Sequence, residues 1–119
     1  MTLIVSSLVQ NTYKIGNTVV ELIGESEYVP PRLLHGLFKL IVDLYNVNVV
    51  PSKLSINCFL DVTATLYGQD GSRLLTISYM PGSVEIRWNP NKLSKDVIER
   101  IVKDLEQIVG VEVKSRELK

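Results

Sequence analysis

The chain has 119 residues, with 13 basic and 13 acidic side chains, one histidine and one cysteine. This length suits one domain that buries about two thirds of its unfolded surface without a disulfide or metal staple, and a single cysteine excludes an internal disulfide. The charge balance disfavours a generic phosphate-backbone binder, which carries a surplus of Lys and Arg, and no apolar run nears the ~20 residues that a membrane-spanning helix needs.

Residues 2–9 are rich in β-branched side chains and predict a strand. The apolar segment at 3–5 is too short, and lacks the basic flank, for a secretory leader, so the expectation is a soluble, cytoplasmic chain with no membrane partner. Abundant Leu, Ile and Val with little Gln lean toward a thermophilic source. Residues 12–15 and 18–23 flank Gly16-Asn17, a two-residue hairpin signal, and with residues 3–9 they make a smaller β unit. After a loop at 24–31, Pro31 suits the first turn of a helix over 32–45. Leu34, Leu37, Phe38, Ile41 and Tyr45, with Leu33, Leu40 and Leu44 beside them, form its apolar stripe, and Arg32, Gly36, Lys39 and Asp43 lie opposite. Residues 46–53 connect onward, with Val47, Val49 and Val50 offering a short edge strand that Pro51 ends.

Residues 55–89 predict three antiparallel strands, the unit around which the rest is arranged. Over 56–66 every even position is apolar (Ile56, Cys58, Leu60, Val62, Ala64, Leu66) and most odd positions are polar, the period of one half-buried strand. Gly68-Gln69-Asp70-Gly71 supplies the turn. A four-residue loop pairs Tyr67 with Ser72 and Ala64 with Leu75, which keeps Leu75, Ile77 and Tyr79 on the even face. A five-residue loop turns them to water, because a slip of one flips every side chain. Pro81-Gly82 makes the next reversal and sets Tyr79 against Val84, Ile77 against Ile86 and Leu75 against Trp88. A second helix follows, with Ser94 as N-cap, Leu93 and Ile98 as a hydrophobic staple, and Gly110 as the stop. Val97, Ile98, Ile101, Val102, Leu105, Ile108 and Val109 form its apolar face. Residues 111–114 alternate and predict a last strand, with a frayed tail from Ser115. The order ββ-α-βββ-α-β, a mainly antiparallel sheet with two amphipathic helices on one face, predicts a single α+β domain built as a two-layer sandwich.

No motif for catalysis, cofactor binding or metal ligation stands out. The expected register places Asp61 and Glu85 on the wet sheet face, about 10 Å apart across two strands. An open, solvated face gives such carboxylates neither the cleft nor the split in pKa that acid–base catalysis needs, and Arg87 balances them. Phe59, Leu74 and Met80 fall on the same face, and with Arg87 they make a candidate partner-binding patch. Arg32, His35 and Lys39 on the first helix form a candidate contact for an anion or nucleic acid. His35 has no Cys, Asp or Glu at ligand spacing, and Cys58 sits in the apolar row as a core thiol.

Over residues 31–109 the order helix, three strands, helix is similar in topology to the double-stranded-RNA-binding domain and to the Alu-binding subunits of the signal recognition particle. The lysine run of the former is replaced here by Leu93-Ser94-Lys95-Asp96-Val97, and no family is assigned. The half-repeat of the TATA-binding protein has a similar order with one more strand. The leading expectation is a non-enzymatic assembly module, a homo-oligomer or a small subunit of a larger complex, because unpaired edge strands recruit further strands. The alternatives are a nucleic-acid binder using the open sheet face or the helix stripe, and a carrier of a small ligand or lipid.

Overall fold

The computed structural model describes residues 10–25, 29–59 and 61–118. The strand expected at 2–9, Leu60 in the even row and the residues at 26–28 of the first loop lie outside the described residues. Strands β1 (Gln10–Ile15) and β2 (Thr18–Gly24) form the predicted hairpin, and α1 (Pro31–Asn46) begins on its proline. Then come β3 (Lys53–Cys58), β4 (Val62–Tyr67), β5 (Arg73–Met80), β6 (Ser83–Trp88), α2 (Lys95–Val109) and β7 (Val113–Glu117). All seven strands join one sheet in chain order. Only β2 with β3 and β6 with β7 pair in parallel, each across a helix; the other neighbours are antiparallel. The class is α+β with a mostly antiparallel sheet.

Four strands, rather than the expected three, lie between the helices. The alternating stretch at 56–66 is two strands, because the chain reverses after Cys58 and pairs Cys58 with Val62 and Ile56 with Ala64. A reversal through three residues keeps even positions opposite even positions, so the apolar row passes through it without a break. The fourth strand also removes the match of element order to the double-stranded-RNA-binding domain. No strand forms at 47–50; Val49 instead packs against the core.

The β4–β5 loop differs from expectation in an instructive way. Tyr67 pairs with Arg73, so the loop has the five residues that should turn Leu75, Ile77 and Tyr79 outward. They do not turn, because a β-bulge follows: Leu66 pairs with Leu75, and Leu74 is the extra residue that resets the phase. Asp70 Oδ1 fixes the loop, accepting from the Ser72 amide at 3.0 Å and the Ser72 hydroxyl at 2.6 Å. Lys92 Nζ holds the other oxygen at 2.6 Å, and these bonds, Lys92 first, keep the Asp70 carboxyl well below the usual range. The β5–β6 hairpin has the predicted register, with Tyr79 on Val84, Ile77 on Ile86 and Leu75 on Trp88. Pro81 presets the first turn position and Gly82 supplies φ +80 at the second.

Leu54, Ile56, Ala64, Leu66, Leu75, Ile77, Val84 and Ile86 of the sheet share one core with Leu33, Leu37, Ile41 and Leu44 of α1 and Ile98, Ile101 and Leu105 of α2. On α1 the polar side is narrower than predicted: Arg32, His35, Val42 and Asn46 are exposed, whereas Gly36 and Asp43 are buried. Gly36 lies against Leu105 of α2, and a Cβ there would run into the Leu105 side chain. The missing side chain lets the two helices approach closely. Helix α2 has the predicted ends, the Val97 amide donating to Ser94 Oγ at 3.3 Å and Gly110 taking φ +82. The tail expected to fray from Ser115 is ordered instead: β7 continues to Glu117, and the Leu118 amide donates to the Trp88 carbonyl at 2.7 Å.

Tyr45, near the C-terminus of α1, ties the β1–β2 turn to the body of the protein. Its hydroxyl accepts from the Asn17 amide at 3.0 Å, and its one proton is shared between Thr18 Oγ1 at 2.8 Å and the Ile15 carbonyl at 3.1 Å. Buried Thr18 in turn donates to the Pro51 carbonyl at 2.7 Å. Tyr45→Phe is expected to lower stability by about 1–2 kcal/mol, the worth of one or two net hydrogen bonds. A urea midpoint equal to that of the wild type would show that this knot contributes nothing.

Candidate functional surface

β1 is an edge of the sheet: it pairs with β2 on one side and with no strand on its other side among the described residues. Thr12, Tyr13 and Lys14 are exposed, Tyr13 at 52%. Beneath this edge, where α1 meets the sheet, lies an apolar groove of about 410 Å³ lined by Tyr13, Ile15, Leu22, Leu34 and Phe38. Alternation puts Tyr13 and Ile15 on the same face as Val20 and Leu22, toward α1. The opposite edge, β7, presents Lys114, Arg116 and Glu117, and the groove of about 350 Å³ beside it is lined by the charged Lys95, Glu99, Arg116 and Glu117 as well as by Trp88 and Ile98.

The predicted partner patch does not come together. Phe59 and Met80 are half exposed, at 50% and 52%, at the end of the sheet where β3 and β5 finish. Arg87 pairs with Thr76, four positions along β5 from Met80, which is about 13 Å of strand. Leu74 leaves the patch altogether: it is 3% exposed. As the bulge residue it turns its side chain under the β4–β5 loop toward Gly68. The rows of the wet face also slip by two against expectation. Thr63 lies with Ser78 and Glu85, and Thr65 with Thr76 and Arg87. Asp61 is off the Glu85 row, in the reversal between β3 and β4.

What the structure gathers instead is a trio of arginines. Arg73 of β5, Arg87 of β6 and Arg116 of β7 line a concavity of about 440 Å³, with Glu117 and Leu118 at its margin. Arg87 and Arg116 are register partners on adjacent parallel strands. Glu85 lies between them, accepting from Arg87 Nε at 3.1 Å and forming an ion pair with Arg116 Nε at 3.4 Å. The Arg73 guanidinium has no ion-pair partner among the described residues. Only Arg87 of this trio stands out in the sequence. Arg116 reaches it through the β6–β7 register, and Arg73 through the bulge.

No family model matches the chain, and no curated protein or solved structure matches it.

On α1 the basic stripe loses its last member. Arg32 and His35 are exposed, but Lys39 Nζ is held by Asp43 Oδ1 at 2.6 Å and by Asp104 Oδ2 at 3.5 Å. The Asp43 bond raises the Lys39 pKa, so this cation is already committed to its own protein. Asp43 is 3% exposed, and its Oδ2 is buried with no hydrogen-bond partner among the described residues. Burial, and then the neighbouring Asp104 carboxyl of α2, raise the Asp43 pKa, and the proximity of Asp43 lowers that of Asp104. Cys58 lies in the core, and burial, with Glu25 nearby, raises its thiol pKa, the opposite of what a nucleophile needs. Among the described residues no group of three or more His, Cys, Asp or Glu is placed to hold a metal ion, and no helix is long and apolar enough to cross a membrane.

Proposed function

We propose that the chain is a non-enzymatic assembly module that pairs with a second copy of itself through the β1 edge. The observation that carries this reading is an edge strand with no further neighbour among the described residues, running beside an apolar groove, with Tyr13 exposed on it. Unpaired edges template further strands. Two copies of one strand meeting antiparallel about a two-fold axis close the pairing, so no open fibre results. Self-pairing at β7 would set Lys114 and Arg116 near their own copies, whereas β1 offers one lysine among polar and apolar residues. In this reading the helices and the sheet form two layers, and the groove at their margin is filled from the partner.

Light scattering at micromolar concentration is expected to give the mass of two chains, and Tyr13→Asp to reduce it to one, because a buried, unpaired carboxylate is costly. Tyr13 is exposed in the single chain, so the substitution leaves the fold intact. A wild-type mass of one chain overturns the reading. The groove also favours a second reading, a carrier of a small apolar ligand: a fluorescent fatty acid would then bind a single-chain species and lose affinity in Leu34→Glu.

A further inference from the structure

We propose that the concavity framed by Arg73, Arg87 and Arg116 is a binding site for one phosphate group, presented as inorganic phosphate or as a small phosphate monoester. Like charges set directly opposite on neighbouring strands destabilise a sheet, yet Arg87 and Arg116 are register partners. Glu85 relieves this repulsion only in part, and in a particular way. One carboxylate oxygen accepts from the Arg87 Nε, and the other lies in ion-pair contact with the Arg116 Nε. That holds both guanidinium planes and leaves their terminal nitrogens, the pair of donors that matches an oxyanion in bidentate fashion, for another acceptor.

Arg73 adds a third guanidinium with no ion-pair partner among the described residues. Its backbone is pinned from β6's end: Asn89 Nδ2 donates to the Arg73 carbonyl at 3.0 Å, and the Asn89 amide to the Leu74 carbonyl at 2.9 Å. On the far side the bond from the Leu118 amide to Trp88 holds the end of β7 against β6. The donors therefore stand on three hydrogen-bonded strands, a preorganised frame.

Glu117 also lines the concavity, so three guanidiniums face two carboxylates, Glu85 included. The surplus suits a single oxyanion. A polyanion needs a basic track. Beyond the trio, strands β3 to β7 add to the wet face Lys114, beside Glu85, and Lys53, paired with Glu21, among side chains that are mostly hydroxyl and amide (Ser55, Asn57, Thr63, Thr65, Thr76, Ser78). The whole chain carries no excess of positive charge. This assigns one small phosphate rather than a nucleic-acid backbone.

The test is titration of the full chain with inorganic phosphate and with glycerol phosphate at constant ionic strength, read by calorimetry and by amide chemical shifts. Saturable binding is expected, with shifts centred on residues 73, 87 and 116. Arg73→Gln, whose side chain supports no ion pair of the fold, is expected to weaken binding by at least about tenfold, the worth of one charge-assisted contact. Equal effects of sodium chloride, shifts that spread over the surface without saturation, or unchanged affinity in a folded Arg73→Gln chain would overturn the assignment. So would binding of a single-stranded RNA oligonucleotide that tightens with its length, which would make the surface a backbone track.

Discussion

Gly24→Ala is expected to lower stability by about 3–5 kcal/mol, enough to unfold a large share of a marginally stable domain at 37 °C. Two costs add at this position. Gly24 ends β2 with φ +100, a conformation that side chains other than glycine adopt only under strain of about 1–3 kcal/mol. It also faces Cys58 at the end of the parallel β2–β3 ladder, and a Cβ would drive into the Cys58 carbonyl oxygen. That oxygen cannot yield, because it accepts the Glu25 amide at 2.8 Å. Forced overpacking of this kind costs about 1–3 kcal/mol. Urea unfolding followed by circular dichroism measures the sum, and a loss below about 1 kcal/mol would mean that the chain relaxes around the methyl group. Gly82→Ala is the control: its φ is +80, but no atom stands near the added Cβ.

Asp43→Asn is expected to stabilise the protein above neutral pH by about 2 kcal/mol and to flatten its stability against pH. Asp43 gives one oxygen to Lys39 and leaves the other buried against Asp104, where two ionised carboxylates cannot both be satisfied. A raised pKa in the folded state means that the Asp43 contribution is fully present below the unfolded carboxylate range. It is lost as pH rises through the folded value. Asp104 runs the other way: its pKa is lowered, Asp43 beside it being the largest cause, so its contribution holds above the unfolded range and fades as pH falls.

An asparagine keeps an oxygen for Lys39 and offers Asp104 an N–H that needs no proton. It thereby removes a buried unsatisfied acceptor, worth about 1–3 kcal/mol. Urea midpoints at pH 5 and pH 8 are expected to converge in the variant and to diverge in the wild type. A variant less stable than wild type at pH 8 would show that Asp43 is ionised and fully paired by Lys39.

The two positions differ in how legible they are. Gly24 stands between a strand and a loop in the sequence, which suggests a turn but not a collision with residue 58. Asp43 sits among the polar residues of an amphipathic pattern; only the approach of α2 at Gly36 turns it inward, against Asp104. The anion trio shows the same division. Its members come from three strands, and no period in the sequence links them.

Local chemistry determined much of this protein from the sequence alone. The Gly16-Asn17 and Pro81-Gly82 reversals, the β5–β6 register, the Ser94 and Gly110 helix ends and the inward parity of Leu75 and Ile77 all follow from turn residues and a period of two. Tertiary structure decided what that period cannot record. Reversal after Cys58 preserves the even row, so one strand and two read alike; the bulge at Leu74 cancels the extra loop residue, so the parity came out right by a different route. The meeting of Arg73, Arg87 and Arg116 depends on a parallel pairing of β6 with β7 across a whole helix. Alternation reports which face a side chain takes, but which strand lies alongside is settled by the shared core.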